Sequence, residues 1–293
     1  MKNVRIGLVT VLYNSNDVLP GFIESLSKQT YTNYHLYIID NSPSVATDLL
    51  LSDLFVKYPM VKYTHLKSDT NLGVAKGNNI GIESARLAGA DYILLLNNDI
   101  EFYQIDLLEK MVDMAVEREE KLLIPKILYY QSRTIWMAGG YFQTLLARTP
   151  HIGDKMEDSP EYNVAKYVHY APTCFMLVSK EVFDVIGVMD EKYFVYYDDS
   201  DFILRARKKG FMIYYVPSFE VFHKVSNSTG GQLSPFSVYY TNRNRLYYVR
   251  KHYGLVHLSY IYILLSCIYS YLFRYDVQGK KALIKAISDW RKL

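Results

Sequence analysis

The chain has 293 residues, of which half are hydrophobic and 22% are charged, and its formal net charge is +3. This length allows a large buried core, and the composition excludes a disordered chain and gives no general electrostatic case for nucleic-acid binding. The two cysteines, Cys174 and Cys267, lie in apolar runs, which excludes a disulfide scaffold and predicts reduced core residues.

The first third of the chain alternates between strand and helix patterns. Apolar runs predict strands at 4–13, 34–39, 61–66 and 92–96. Helices are predicted between them at 20–28 and 46–57, and a third helix follows a Gly/Asn-rich loop and ends near Ala88. This alternation implies an α/β fold with a Rossmann-like, doubly wound and mostly parallel sheet, in which ligands bind outside the carboxyl ends of the strands.

After Asp99 the pattern becomes less regular. Strands are predicted at 173–178 and 212–216, helices at 106–120 and 199–209, and a flexible Ser/Gly loop at 226–231. From Ser237 onward the chain is predicted to be wholly helical, so a C-terminal helical extension follows the sheet.

Several common motifs are missing from the sequence. There is no GxGxxG after the first strand and no GxxxxGK[ST], which argues against a dinucleotide oxidoreductase and a P-loop enzyme. Neither GxSxG nor HExxH occurs. Phosphate groups would therefore have to be held in another way.

Polar residues follow three of the predicted strands, at 13–14, 40–41 and 97–99. Because the carboxyl ends of these strands meet at one edge of the sheet, the three sets indicate a binding site there. Asp99 is the carboxylate at the end of the strand 92–96. It is equally well interpreted as a ligand of a hard divalent cation shared with a diphosphate or as the cap of the following segment.

A second polar cluster contains Asp198, Asp199 and Asp201. Like charges at this spacing should raise the pKa of at least one carboxyl group unless a cation or a helix N-terminus compensates. A solvated helix start is the usual explanation, but the aromatic stretch 193–196 favours an enclosed cleft, where a carboxylate can act as a general base. His223 ends an apolar run, and alone it would be interpreted as structural.

Taken in order, these motifs resemble the family 2 glycosyltransferases with a GT-A fold, especially their rhamnosyltransferase-like branch. The most specific match is NLGVAKGNNIG at 71–81, which is similar to the family segment N-x-G-x-A-x-G-x-N-x-G. LNND at 96–99 resembles the DxD-type metal motif with Asn97 in place of the first Asp. The segment 187–202 resembles G-x-F-D-E…E-D-x-D-L, with Met189 in place of Phe and Asp198 in place of Glu.

The resemblance implies a role for each matched residue. The implied donor-binding residues are Val11, Tyr13, Asn14, Asp40, Asn71, Gly73, Lys76, Asn97, Asn98 and Arg243. Asp99 and His223 are implied ligands of a Mg²⁺ or Mn²⁺ ion, with Ser226 and Ser228 completing the H-x-x-x-x-S pattern. Asp199 is the implied catalytic base, and Asp198 is the fallback base.

Arg243 and Arg245 belong to a segment similar to the branch's R-N-R sequence. Either guanidinium would contact the diphosphate or an acceptor phosphate, because its fork of donors suits phosphate oxygens. A basic helix face in water is the alternative interpretation.

The resemblance implies an inverting transfer of a sugar from a UDP- or dTDP-linked donor, with rhamnose as the sugar of this branch. The acceptor would be a hydroxyl of a glycan or lipid-linked oligosaccharide in surface polysaccharide synthesis. It also divides the chain into a catalytic domain at 1–231, with a nucleotide-binding half at about 1–100 and an acceptor half at about 101–231, and a helical region at 232–293.

Two rival functions stay open at this stage. A non-catalytic sugar-nucleotide-binding protein would keep the fold without the reaction. A sugar-nucleotide pyrophosphorylase would need a Gly/Arg-rich phosphate loop after the first strand, and residues 14–17 do not resemble one.

The apolar segment Leu255 to Phe273 approaches the roughly 20 residues that span a bilayer. His257, the serines and the tyrosines argue against spanning, so peripheral membrane contact, internal packing and a homodimer contact all remain possible interpretations. The basic residues that follow it are Lys280, Lys281, Lys285, Arg291 and Lys292. Because the N-terminus has no signal-peptide pattern, a cytoplasmic protein is expected. Peripheral membrane contact would place it at the inner face of the cell membrane, where the lipid-linked acceptor that the resemblance implies would lie.

Overall fold

The structure, a computed structural model, describes residues 4–42, 44–225, 231, 233–254 and 257–293. The strands are β1 (Ile6–Leu12), β2 (Tyr34–Asp40), β3 (Tyr63–Lys67), β4 (Tyr92–Leu96), β5 (Ile100–Glu101), β6 (Leu122–Tyr129), β7 (Ile135–Met137), β8 (Lys166–Val168), β9 (Phe175–Ser179) and β10 (Ile213–His223). The helices are α1 (Leu19–Ser27), α2 (Val45–Lys57), α3 (Gly73–Leu87), α4 (Leu107–Glu117), α5 (Lys180–Ile186), α6 (Asp198–Lys208), α7 (Pro235–Tyr253), α8 (Ser259–Phe273) and α9 (Val277–Asp289).

The strands form a mixed sheet in the order β3-β2-β1-β4-β9-β6-β10-β5, with β7 on β6 and β8 on β10. The first four strands are parallel, β9 is antiparallel to both β4 and β6, and β10 is parallel to β6. Helices cover the parallel strands, so the residues of β1 and β4 are almost all buried, which explains their continuous apolar sequences. The predicted α/β fold is confirmed.

The glycines of the segment 73–81 lie in helix α3, so the predicted Gly/Asn-rich loop is wrong for these residues. A Cβ atom on Gly77 would lie 2.8 Å from Cγ2 of Val11, and one on Gly81 would lie 2.4 Å from Cγ1 of Val9. These two glycines allow α3 to approach β1 closely, which a larger residue would prevent.

Strand β10 is much longer than the predicted strand 212–216 and ends at His223. Its register with β6 shifts between Val216 and Glu220, around Pro217. Proline cannot donate to the ladder, and an irregularity of this kind lets a strand continue past it. The continuation delivers His223 to the same edge of the sheet as Asp99.

The C-terminal helices pack on one another around a second apolar core that includes Val238, Val249, Ile263 and Leu283. Residues 255–256 and the predicted loop serines, Ser226 and Ser228, lie outside the described residues. Among the described helices, none combines the length and the apolar character needed to cross a membrane.

Candidate active site

Asp99 and His223 lie side by side at the carboxyl edge of the sheet. Strand β5, which follows Asp99 directly, pairs with the end of β10 so that His223 is opposite Ile100, and the backbone N–H of Lys224 donates to the carbonyl of Asp99 at 2.9 Å. As a result, Nε2 of His223 is 3.2 Å from Oδ1 of Asp99, and both side chains are buried. The ring of Trp136 packs edge-on against the His223 ring, with centroids 4.4 Å apart.

The donor set of this pair fits a divalent cation. A carboxylate oxygen and an imidazole nitrogen, held close together at a cavity wall, are suitable ligands for Mn²⁺, and the carboxylate alone suits Mg²⁺. Nδ1 of His223 is buried and has no hydrogen-bond partner within the described part of the chain. The ring is therefore not committed to a structural hydrogen bond through that nitrogen.

A cavity of about 370 Å³ lies over the carboxyl ends of β1 and β4. Its lining includes the predicted residues Val11, Tyr13, Asn71, Gly73, Asn97, Asn98 and Asp99. Asn98 is held in place by donating Nδ2 to the carbonyl of Val11 at 3.0 Å and to Oγ of Ser15 at 2.9 Å. Phe194, from the aromatic stretch that predicted an enclosed cleft, and Phe236, which the sequence did not indicate, form an aromatic wall of this cavity.

Asn14, Asp40 and Lys76 do not line this cavity within the described residues, which differs from the prediction. Asp40 is completely buried beneath the sheet edge, where it accepts a hydrogen bond from the backbone N–H of Ser42 at 2.7 Å. Lys76 is exposed on α3, because helix formation from Gly73 turns it away from the strand ends. Asn14 is exposed and is fixed by its backbone N–H, which donates to Ser42.

A second group of possible metal ligands contains Asp40, Asp48 and His65. Nε2 of His65 is 3.2 Å from Oδ2 of Asp40, and Nζ of Lys67 is 2.5 Å from Oδ2 of Asp48. Because the lysine already supplies a positive charge to this group, it suits a divalent cation less well than the Asp99–His223 pair.

The loop before α6 has an unusual backbone. Phe194, Tyr196 and Tyr197 have φ angles of 63°, 63° and 67°, in the left-handed region that bulky residues rarely adopt. The side-chain Nδ2 of Asn244 lies within hydrogen-bond distance of the carbonyls of Tyr193, Val195 and Tyr196, at 2.8, 2.7 and 2.9 Å. Asn244 thus clamps the loop that leads into the acidic cluster.

Arg243 belongs to the same clamp and is not at the predicted diphosphate position. Its Nη2 donates to the carbonyls of Lys192 and Tyr193 at 2.9 and 3.1 Å, and its Nε donates to Oδ1 of Asn244 at 2.9 Å. The side chain is buried, its Nε and Nη2 hydrogen-bond within the protein, and it is absent from the described lining of the 370 Å³ cavity, so the structure places Arg243 against the loop and not at the predicted donor position.

We expect Asn244→Ala to lower the free energy of unfolding by roughly 3 kcal/mol, because buried carbonyls would lose their donor. Asn244→Asp should be similarly destabilising, since it keeps the volume but removes the amide donor. Urea denaturation followed by circular dichroism measures this, with the exposed residue Gln278→Ala as the control. An unchanged free energy of unfolding for both Asn244 variants would mean that other contacts hold the loop.

Asp199 is half-buried at the start of α6 and is oriented by three donors. The hydroxyl of Tyr170 donates to Oδ2 at 2.6 Å, while the backbone N–H and hydroxyl of Ser200 donate to Oδ1 at 2.6 and 3.2 Å. Burial and the negative charge of Asp199 raise the pKa of Tyr170 well above its usual value, so the phenol stays a donor. A carboxylate held in this way presents its remaining lone pairs in a fixed direction.

Asp198 and Asp201 differ from Asp199 in their surroundings. Burial, followed by the charge of Asp199, raises the pKa of Asp198 to about 8, as the sequence predicted for one carboxyl group of the cluster. Asp201 is also buried, which by itself would raise its pKa, but a hydrogen bond with His252 and the nearby cations Arg205 and Lys251 hold it well below the usual value. Asp198 is therefore largely protonated at neutral pH, and Asp201 is engaged in ion pairs, which favours Asp199 over its fallback as a base.

The raised pKa of Asp198 predicts a pH-dependent stability. Between about pH 4 and the folded-state pKa of about 8, the folded protein holds a proton that the unfolded chain has released, so the free energy of unfolding falls as the pH rises. Asp198→Asn cannot titrate, and we expect its stability relative to wild type to increase from pH 5 to pH 9. Urea denaturation at both pH values tests this, and a difference that is independent of pH would contradict the raised pKa.

A cavity of about 430 Å³ contains Asp199 and adjoins the first one. Val74, Asn97 and Val195 line both cavities, so the Asp99–His223 pair and Asp199 lie along one continuous cleft. His223, Trp136 and Tyr170 line the Asp199 side, so the Asp99–His223 pair lies where the two cavities meet. A ligand that bridges the two cavities would pass this cation site and meet an oriented carboxylate beyond it.

Several known proteins with similar sequences are glycosyltransferases. The sequence model of the family described as Glycosyl transferase family 2 matches residues 8–187. The chain is 25% identical over 279 residues to the dTDP-rhamnosyl transferase RfbF of Shigella flexneri, which covers 92% of this chain and 88% of that protein.

Solved structures share the fold. The mannosyltransferase PcManGT from Pyrobaculum calidifontis, solved with GDP-Man and Mn²⁺, is 12% identical with a TM-score of 0.58, and the match covers 98% of this chain and 75% of that one. S. aureus TarS is 14% identical with a TM-score of 0.61 over 99% of this chain, which spans 49% of TarS.

Proposed function

The chain belongs to glycosyl transferase family 2, and from this premise we propose that it is an inverting, metal-dependent enzyme that transfers a sugar from a nucleoside-diphosphate donor to an acceptor hydroxyl. The observation that carries the proposal is the continuous cleft between the Asp99–His223 pair and Asp199. Sugar transfer requires a cation beside the diphosphate of the donor and a base beside the hydroxyl of the acceptor. The cleft provides one position for each.

On the donor side, Asp99 and His223 would hold a Mg²⁺ or Mn²⁺ ion, as their donor atoms and their burial support. When bound, such an ion supplies positive charge that stabilises the leaving diphosphate. Asn97 and Asn98 border the cavity beside it and would orient the donor through amide hydrogen bonds. The aromatic wall of Phe194 and Phe236 offers a flat apolar surface for the nucleobase or ribose.

On the acceptor side, Asp199 would accept the proton of the attacking hydroxyl. Tyr170 and Ser200 orient the carboxylate of Asp199 and so fix the direction from which it can accept a proton. General-base catalysis depends on such positioning before it depends on the pKa of the base. The raised pKa of Asp198 makes that carboxyl group the weaker candidate for the base at neutral pH. Proton removal by one oriented carboxylate supports a single displacement, which inverts the anomeric centre.

For the donor we propose a dTDP- or UDP-linked hexose, with dTDP-rhamnose as the first compound to test. The similarity to the dTDP-rhamnosyl transferase of Shigella supports this choice, because that protein matches over most of both chains. The acceptor we propose is a hydroxyl of a glycan or lipid-linked oligosaccharide.

The experiment that tests the function is a calorimetric titration of the purified protein with UDP, dTDP and GDP, each with and without Mn²⁺. The proposed function expects one of these nucleotides to bind in a metal-dependent way, and its sugar derivatives then to be consumed in the presence of acceptor. Binding without turnover for any acceptor would favour a non-catalytic sugar-nucleotide-binding protein. If none of the nucleotides binds, the proposed donor site is wrong.

A further inference from the structure

A third cavity, of about 450 Å³, adjoins the Asp199 side of the cleft and lies between α7 and α8. Its lining contains Arg148, Arg245 and Arg274, and the described lining residues include no Asp or Glu. Hydroxyl groups complete it, from Ser237, Thr241, Ser266 and Ser270. We call it the arginine cavity.

The positive charge of the arginine cavity is not neutralised by the described part of the protein. None of its three arginines forms an ion pair there, whereas the buried charges of Lys126 and Asp201 are paired. Arg245 is 4% exposed, and its Nε and Nη2 donate to the carbonyl of Leu146. Burial lowers the pKa of Arg245, and the charge of Arg148 lowers it further. Since a buried cation without a counter-charge is costly, the cavity suits an anionic ligand with several acceptor oxygens.

The arginine cavity communicates with the base. Arg148, Tyr196, Tyr197 and Thr241 line both this cavity and the one that contains Asp199. An acceptor whose hydroxyl reaches Asp199 would therefore extend its far end toward the three guanidinium groups.

Helix α8 supplies one wall of the arginine cavity and exposes most of its large apolar side chains, which helices usually bury. Its buried side chains are Ser259, Ile263, Cys267 and Ser270. Its large apolar side chains, including Ile261, Leu264, Leu265, Ile268, Leu272 and Phe273, are 48–74% exposed. No charged residue occurs in the helix. A continuous exposed apolar face of this kind indicates contact with a hydrocarbon or another apolar ligand.

The two features are continuous, because Ser266 and Ser270 of α8, together with Arg274 directly after it, line the arginine cavity. We propose that the arginine cavity binds the phosphate or diphosphate of an acceptor in which the sugar is joined to a long-chain alcohol, and that the hydrocarbon chain lies along the exposed face of α8. This inference rests on the proposed transferase function and names the class of its acceptor.

The test measures binding of farnesyl diphosphate, farnesol and inorganic pyrophosphate to the full chain in the presence of EDTA, which removes any cation from Asp99 and His223. We expect wild type to bind farnesyl diphosphate more tightly than either of the other two probes. The double variant Arg148→Ala/Arg274→Ala should weaken that binding at least about tenfold, since charge-assisted contacts to the diphosphate are lost. Both arginines are exposed enough for the fold to tolerate their loss.

Two further variants separate the anion from the chain. Leu265→Ser/Ile268→Ser should weaken farnesyl diphosphate binding several-fold and leave pyrophosphate binding unchanged, because both side chains lie on the exposed face of α8. Arg207→Ala is the matched control, an exposed arginine on α6 that does not line the cavity, and it should bind like wild type.

Unchanged farnesyl diphosphate binding in the double arginine variant, or no binding by wild type, would overturn the proposal. Competition by phosphatidylglycerol vesicles as strong as that by farnesyl diphosphate would also overturn it, because the cavity would then serve a membrane headgroup. Metal-dependent nucleotide binding, measured on the same proteins, should survive in the double variant. If wild type binds farnesyl diphosphate but no nucleotide, the cavity assignment is supported and the transferase function is the part that fails.

Discussion

Asp199→Asn is expected to lower the rate of sugar transfer about a thousandfold, the scale on which a positioned general base contributes. Asparagine keeps the size and one acceptor oxygen of the side chain, and the hydroxyl of Tyr170 and the N–H of Ser200 can still hold it. It cannot accept the acceptor's proton. Donor binding should be unchanged, because Asp199 lines the cavity beside the one that contains Asp99. Release of the nucleoside diphosphate under single-turnover conditions measures the effect.

Asp53→Asn is the matched control, an exposed aspartate on α2 far along the chain from the cleft, and it should transfer at the wild-type rate. Asp198→Asn provides a second comparison. Because its carboxyl group is already largely protonated at neutral pH, its replacement should cost much less activity than that of Asp199. Near-normal turnover by Asp199→Asn, or an equal loss in Asp198→Asn, would assign the base to another group.

The central parallel strands β1, β2 and β4 could be predicted from the sequence because they are buried on both faces and therefore appear as largely apolar runs. The part of β10 after Val216 could not, because Pro217 normally ends a strand, and only the register shift against β6 lets this one continue. That continuation brings His223 to Asp99, so the pairing of two residues far apart in sequence was implied by the family resemblance and not by any local pattern.

The hydrogen bonds from Arg243 and Asn244 that hold the loop 194–197 also could not be predicted from the sequence. Nothing in a run of aromatic residues indicates three left-handed backbone conformations, and a basic R-N-R segment on a helix is ordinarily solvated. The structure buries Arg243 and Asn244 because the loop has carbonyls that need donors. The signal available was the asparagine itself, a poor helix former placed between two arginines in an aromatic helix.

The burial of Asp40 could not be predicted from its position in the sequence. A polar residue at a strand end is expected to face solvent or ligand, but Asp40 is buried at the edge of the sheet, where it hydrogen-bonds with Ser42 and His65. Helix α8 shows the same difficulty on the surface. Its apolar composition predicts burial or membrane contact equally well, and only the structure reveals that the large side chains point outward.

Asp99→Ala is expected to weaken metal-dependent nucleotide binding by at least about a hundredfold, because even the loss of a residue that only supports a metal ligand costs roughly 10–100-fold in metal affinity. The variant keeps His223 but loses the carboxylate that lies 3.2 Å from it. One imidazole without a carboxylate is a poor site for a hard cation. Titration of the nucleotide with and without Mn²⁺ measures the loss, and wild type without the metal should bind as weakly as the variant with it.

The Asp40–Asp48–His65 group makes this experiment decisive, because it offers a rival cation site within the same half of the protein. Asp48→Ala removes a carboxylate from that group and should leave metal-dependent binding at the wild-type level, since Lys67 already neutralises Asp48. If Asp48→Ala loses the metal dependence and Asp99→Ala retains it, the cation belongs to the rival group. In that case Asp99 and His223 are a buried structural pair, and the diphosphate must bind on the β2 side of the sheet.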